Sequence, residues 1–326
     1  MHANRNNFWY STSTIAITSL CMLLTVTSPC NSASFPEGPE LSEMLQGNSA
    51  FRMVLGRVSL DVRKYRVGQF RFKTDANGKP SDSKIIRSLN ITLERGSPNL
   101  VLHRKQESQN WNIEAKGNGR TRLQFDDNAN NYSVVWDQPA HGVISVVVRE
   151  GDKSTSIKAL SLWHIWFERP EICKDHLFPM LSKIEANWNL ELIARETDTR
   201  LKEALAISPI VSEKKVRDLL QEFNSNDSTV RDRAHRELRY LGLAALTPMM
   251  VTNLEPLGPE QSRRIERLIQ TMRPNTDDTP NRLASWLSCD SMVCRAIATR
   301  LDGQAKDSGI LYVERLTGET PATIRR

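Results

Sequence analysis

The spacing of apolar residues changes partway along the chain. Between residues 51 and 150, apolar and polar side chains alternate, which is typical of β-strands with one buried face. The apolar members of this pattern are Leu89, Ile91, Leu93, Leu100, Leu102, Trp111, Ile113, Leu123, Phe125, Tyr132, Val134, Trp136, Ile144, Val146 and Val148. After residue 195 the apolar residues recur every three or four positions, which predicts amphipathic helices. The two patterns together predict an α+β protein.

Short turn sequences separate the predicted strands, namely residues 75–78, 96–98, 117–119, 126–131 and 139–142, all rich in Gly, Pro, Asn and Asp. Because such connections are short, consecutive strands should pair antiparallel, as a meander of about seven to nine strands. One face of that sheet needs a cover. Residues 156–181 are the natural candidate, since they contain Leu160, Trp163, Ile165, Trp166 and Phe167. Pro170 should break this cover into two helices.

Three short helices are predicted between residues 227 and 272. The first begins at Asp227 or Ser228 and ends at Gly242, with an apolar face of Val230, Ala234, Leu238 and Leu241. The second has Pro248 near its start and an apolar face of Leu246, Met249, Met250 and Leu254. The third opens at Glu260 after Pro259, and its apolar face comprises Ile265, Leu268, Ile269 and Met272. None of these helices can bury its apolar face alone, so they must stack.

This region resembles the HEAT-like helical modules of planctomycete bacterial proteins. The residues that carry the resemblance are Ser228-Thr-Val-Arg-Asp-Arg-Ala234, Glu237-Leu-Arg-Tyr-Leu-Gly242, Ala245, Pro248 and Pro259-Glu-Gln-Ser-Arg-Arg-Ile-Glu-Arg-Leu268. With weaker flanks it extends over residues 196–320. The resemblance implies a scaffold of helical hairpins that contacts other proteins, and it brings no catalytic residues. Cys289 and Cys294 depart from that family pattern.

The first 33 residues read as an export signal. Arg5 is the only charged residue before Glu37, and the apolar core from Ile15 to Val26 is about twelve residues long. A helix that crosses a bilayer needs about twenty. Cleavage after Ala33 is expected, which places the protein in the periplasm or cell envelope. Attachment of a lipid at Cys30 and an uncleaved membrane anchor are the alternatives.

The expected organisation is therefore a signal peptide at 1–33, a polar linker at 34–50, a β domain at 51–155, covering helices at 156–195 and a HEAT-like domain at 196–326. The net charge of +6 falls to +5 once Arg5 is removed. Basic residues are scattered among acidic ones, as on a solvated surface. Because an exported chain seldom meets nucleic acid, we expect no nucleic-acid partner.

Few residues suggest chemistry. The sequence contains no nucleophile elbow, Walker loop or dinucleotide-binding glycine motif. Cys173 and His176, with His164 nearby, are the best metal-like group, but a zinc site usually shows a second pair. Ser81 and Lys84 match the S-x-x-K motif in residue type and spacing only. The acidic pairs Asp126–Asp127 and Asp277–Asp278 are expected in polar loops, where solvation explains them. No catalytic, cofactor or metal residue is assigned.

The cysteines provide one testable hypothesis. Cys289 and Cys294 are five positions apart across a predicted helix start, which allows a disulfide if Cys289 lies in the connection. An oxidising compartment would permit such a bond.

Three functions remain open at this stage. The first is a non-enzymatic envelope protein that uses its helical repeats to contact other proteins. The second is a carrier of a lipid or glycan, bound near Trp163, Trp166 and Trp188 between the sheet and its cover. The third is a hydrolase whose site is assembled from residues far apart in sequence.

Overall fold

The computed structural model describes residues 45, 50–61, 68–71, 85–207, 209, 211–223, 225–251 and 258–318. All of them belong to one compact unit, Ala33–Arg326. The predicted signal peptide, Cys30, Ser81 and Lys84 lie outside the described residues.

Ten described strands form two antiparallel sheets. Strands β1 (Ala50–Val54) and β2 (Arg57–Asp61) make a separate hairpin. The large sheet contains eight strands in sequence order: β3 (Gly68–Arg71), β4 (Ile85–Glu94), β5 (Ser97–Gln106), β6 (Gln109–Lys116), β7 (Thr121–Asp127), β8 (Tyr132–Gln138), β9 (Ile144–Glu150) and β10 (Lys153–Ala159). The predicted antiparallel meander is confirmed.

The inward face of the meander is the predicted one. Of its predicted apolar positions, only Leu93 is exposed, with 47% of its surface accessible. Leu93 pairs with Pro98, one residue pair from the β4–β5 turn, where the sheet edge meets solvent. The other positions are buried, so the alternation in sequence correctly predicted which side chains lie on the buried face of the sheet.

Helices cover that face. They are α1 (Leu162–Glu168), α2 (Pro170–Ile172) and α3 (Phe178–Ile184), the last two joined by a π-helical turn at Cys173–Leu177. The predicted break at Pro170 is confirmed. The predicted start of the cover at residue 156 is wrong, because Ser156 pairs with Val147 and the chain stays in β10 as far as Ala159.

The remaining described helices are α4 (Leu190–Leu205), α5 (Glu213–Glu222), α6 (Ser228–Leu241), α7 (Leu246–Val251), α8 (Pro259–Met272), α9 (Pro280–Leu287), α10 (Ser291–Ala298) and α11 (Gly303–Thr317). A 3-10 turn, Gly242–Ala245, joins α6 to α7. Asp227 caps α6 by accepting a hydrogen bond from the Thr229 amide, and Gly242 ends it at a φ of 58°. Both predicted limits of this helix are confirmed, and the α+β class with them. The HEAT-like repeat stays a prediction.

The sheet and the helical region share one hydrophobic core. Helix α10 packs against α1 of the cover as well as against α4 and α11. The packing therefore continues across the expected domain boundary at residue 196. Leu45, inside the expected polar linker, is also buried in this core. Among the described residues, no helix is both long and apolar enough to span a bilayer.

Candidate functional site

An apolar cleft of about 270 Å³ opens where the sheet, α1 and α10 meet. Its walls include Val143 before β9, Phe167 of α1, Val251 of α7 and Met292 of α10. Val143, Val251 and Met292 are 47%, 58% and 67% exposed, although each is a large apolar residue. Three exposed apolar side chains at one concave site are more than isolated surface residues, and such sites commonly bind a partner or ligand.

A buried chain of polar residues adjoins the cleft, and its central member, His164, lines the cleft. His164 contacts the Ser161 hydroxyl through Nδ1 at 2.7 Å and the Asp290 carboxylate through Nε2 at 2.8 Å. All three residues are buried. Each end of the chain is also a helix cap: Ser161 caps α1, and Asp290 caps α10 by accepting the Val293 amide at 3.0 Å. Ordinary capping chemistry thus places both groups against one imidazole.

Asp290 remains ionised in this environment. Burial alone would raise its pKa, but His164 and the amides of Val293 and Met292 hold the pKa below its ordinary value. An ionised Asp290 accepts a hydrogen bond, so Nε2 of His164 carries a proton.

Ser161, His164 and Asp290 have the composition of a hydrolytic triad, but their arrangement does not suit that chemistry. Ser161 has no accessible surface, and its Oγ also accepts the backbone amide of His164 at 3.4 Å. A substrate carbonyl could not reach a hydroxyl that is enclosed in this way. The chain instead fastens α1 to α10 and fixes the wall of the cleft.

Asp278 is a second buried acid that sequence reasoning missed. Its carboxylate accepts the amides of Leu55 and Gly56, each at 2.6 Å, and the Trp163 indole N–H at 2.7 Å. Burial raises the pKa of Asp278 to about 6, although these three donors favour the charged form. The residue ties the β1–β2 turn to α1 and to the start of α9.

The view that the acidic pairs are simply solvated is therefore wrong. Asp277 is exposed but accepts the Met53 amide at 2.9 Å. Asp127 is buried within β7. Burial opposes its charge, but its pKa is held below the ordinary value by the side chains of Asn130, Gln109 and Ser108 and by the Ala129 amide.

The expected aromatic ligand space is occupied by protein. Trp163 is fully buried, and Trp166 and Trp188 are each 7% exposed. The Trp166 ring stacks on Phe178 with centroids 5.4 Å apart. These three tryptophans line none of the four best-defined cavities in the described part of the chain. The region between sheet and cover is a packed core at this point.

The three residues of the candidate metal group, Cys173, His176 and His164, each contact a different part of the protein. His176 contacts the Tyr132 hydroxyl at 3.0 Å, whereas the Cys173 thiol faces the Leu162 carbonyl at 4.0 Å. His164 is engaged with Ser161 and Asp290. Across the residues the structure describes, no three potential metal ligands converge.

Cys289 and Cys294 are both free and buried, so the hypothesis of a disulfide between them is wrong. Cys289 does lie in the connection between α9 and α10, as expected. The Cys294 thiol, however, donates to the carbonyl oxygens of Ser288 and Leu287 at 3.3 and 3.5 Å. Both thiols are held at the end of α9 by backbone acceptors instead of by each other.

Comparisons of this chain with protein-family models, with curated proteins and with solved structures find no match. The functional argument therefore depends on the geometry of the site alone.

Proposed function

We propose that this protein is a non-enzymatic binding module of the cell envelope, and that it holds an apolar segment of a partner protein in the cleft. The observation that carries this proposal is the convergence of the exposed side chains of Val143, Val251 and Met292 on one concave site. Apolar pockets of this kind bind the anchor side chains that dominate protein interfaces.

The rim of the cleft indicates the chemistry of the partner. Lys158 and Glu168 lie at the rim, both exposed, and neither forms an ion pair with a described residue. A partner segment with an apolar centre and charged residues on either side would complement this rim. His164 lines the cleft and is held by Ser161 and Asp290, which supports such binding because a residue held in place loses little conformational freedom when the site is occupied.

The cellular location is part of the same proposal. It is supported by the sequence of residues 1–33, which has the form of an export signal. The HEAT-like character of residues 196–326 is likewise proposed, and the packing of α5 on α6 and of α10 on α11 is in keeping with helical hairpins. Mass measurement of the protein purified from the envelope should give a chain that begins at Ser34. A chain that retains residue 1 would contradict cleavage.

Binding at the cleft is best tested by selection from a random peptide library. Wild-type protein should enrich peptides that share apolar positions flanked by charges. Met292→Glu places a charge in the cleft at a position that is 67% exposed, so it should abolish peptide binding without unfolding the protein. Leu192→Glu is the matched control, since Leu192 is 56% exposed on α4 and does not line the cleft.

The proposal fails if the enriched peptides bind Met292→Glu and wild-type protein equally, or if no peptide is enriched. A lipid carrier predicts a different result. In that case native mass spectrometry should show palmitate bound to wild-type protein and lost from Met292→Glu, while no peptide competes for the cleft.

A further inference from the structure

A second cavity lies on another part of the molecule and has a different chemical character. It has a volume of about 320 Å³ and lies between the β1–β2 hairpin and the chain that follows α8. Arg52, Arg57 and Arg273 line it, and none of its lining residues is Asp or Glu. It shares no lining residue with the apolar cleft.

Arg57 is buried in the wall of this cavity, with 5% of its surface exposed. Its guanidinium donates to three backbone carbonyls: Pro139 at 2.5 Å, Gly142 at 2.7 Å and Leu160 at 3.1 Å. These acceptors are neutral, and Arg57 forms no ion pair with any residue that the structure describes. A guanidinium has five N–H donors, so three such bonds leave about two donors for another ligand.

Arg273 is half-buried, and its guanidinium forms no hydrogen bond or ion pair in the described structure. Burial, and to a smaller extent the positive charge of nearby Arg273, lower the pKa of Arg57 to about 10. The two cations therefore repel each other across the cavity. Buried charges in proteins are normally paired, so this arrangement lacks a negative partner.

The side chain of Gln138, which also lines the cavity, is already occupied. Gln138 accepts the Val58 amide at 2.9 Å and donates to the carbonyls of Val58 and Gly119, both at 2.7 Å. The Gly119 amide donates to Lys116. Gln138 thus holds the wall in place, and the unsatisfied binding capacity belongs to Arg57 and Arg273.

We propose that Arg57 and Arg273 bind a tetrahedral oxyanion, a phosphate or sulfate group, in this cavity. The planar guanidinium presents paired N–H donors that match the oxygen atoms of such groups. The anion would also neutralise the repulsion between the two arginines. A volume of about 320 Å³ leaves room for an organic group that carries the oxyanion.

Isothermal titration calorimetry at constant ionic strength, in phosphate-free buffer, tests this proposal. The probes are inorganic phosphate, sulfate, glucose 6-phosphate and citrate. Arg273→Gln should weaken oxyanion binding by about tenfold or more, because it removes a charge-assisted donor set. Arg149→Gln is the matched control, since Arg149 is exposed on β9, away from the cavity lining, and loses the same charge.

Folding can be checked separately. In the absence of anion, Arg273→Gln should unfold at the same temperature as wild-type protein or higher, because Arg273 makes no hydrogen bond that the substitution would break. Arg273→Lys keeps the charge but loses the planar donors, so its affinity should lie between those of wild-type and Arg273→Gln.

Tighter binding of glucose 6-phosphate than of inorganic phosphate would show that the cavity also holds the organic group, whereas equal binding would place recognition in the oxyanion alone. Either result supports the site if Arg273→Gln weakens the binding of these probes. The proposal is overturned if wild-type protein binds none of the probes, if Arg273→Gln binds like wild-type, or if only citrate binds.

Discussion

Replacing Asp278 by Asn tests the contact that joins the β1–β2 turn, α1 and the start of α9. The carboxylate accepts three buried donors, the amides of Leu55 and Gly56 and the indole N–H of Trp163. An asparagine of the same shape must turn its NH₂ group toward at least one of these donors. One orphaned buried donor costs about 1–3 kcal/mol, which sets the expected loss of stability relative to the ionised carboxylate that accepts all three.

The effect of Asp278→Asn should depend on pH. Burial raises the pKa of Asp278 from 3.8 to about 6 in the folded protein, so the folded state binds this proton more tightly than the unfolded state does. The stability that protonation contributes is fully present below about pH 4 and is lost as the pH rises through 6. A shift of about 2.2 pKa units corresponds to about 3 kcal/mol.

The assay is urea unfolding, followed by tryptophan fluorescence from pH 4 to pH 7. The free energy of unfolding of wild-type protein minus that of Asp278→Asn should fall by about 2 kcal/mol over this range, because most of the 3 kcal/mol lies between pH 4 and pH 7 and asparagine does not titrate. Subtracting the variant cancels the other acids common to both proteins. A difference that stays constant, or that grows toward pH 7, would refute the assignment of a raised pKa to Asp278.

Three further predictions follow from local geometry. Gly56→Ala should destabilise the protein by about 2–4 kcal/mol, since a Cβ there would lie 2.7 Å from the Trp163 side chain at a φ of 66°. In the control, Gly96→Ala, the added Cβ meets no atom within 4 Å, so only about 1 kcal/mol of backbone strain is expected. Equal losses of stability in urea unfolding would contradict this reasoning. Asp290→Ala should destabilise the protein by about 2–4 kcal/mol at pH 7, because it removes the cap of α10 and the partner of His164. The pKa of Asp290 is lowered in the folded state, so this stabilisation should disappear as the pH falls below the ordinary range of an Asp. An unchanged denaturation midpoint at pH 7 would argue against the contact. The three buried cysteines, Cys173, Cys289 and Cys294, should react with iodoacetamide once the protein is unfolded, and no reductant should be needed; peptide masses report the labelling. Labelling of the native protein would show that the thiols are exposed, and a need for reductant would show that they are bonded.

Local pattern was sufficient to predict the sheet. Each inward residue of the meander belongs to a run with a period of two, and the period follows directly from the geometry of a strand. Helix limits such as Asp227 and Gly242 were predicted for the same reason, because capping and a positive φ are decided by neighbouring residues. The end of β10 was missed, since Ser156 stays in the sheet through pairing with β9 and not through its own apolar pattern.

The polar residues of the candidate sites could not be predicted in this way. Asp290 looks like any acid that precedes a helix, and only packing brings it to His164, 126 residues earlier. Arg57 and Arg273 are two among 44 basic residues, and their lack of an acidic partner is a property of the folded cavity. Asp278 follows another acid in a polar stretch, which favoured the wrong conclusion that it is solvated. One signal was available: Asp278 lies directly before Thr279 and Pro280, a typical helix start where backbone amides are ordered.

The contact between Asp278 and the β1–β2 turn also affects when the first hairpin can form its bonds during synthesis, and what a truncated chain would lack. Leu55 and its acceptor are separated by 223 positions, so the first hairpin completes its bonding only after most of the polypeptide has been synthesised. A truncated product ending before Asp278 would retain every described strand, yet would leave the Leu55 and Gly56 amides and the Trp163 indole without this acceptor.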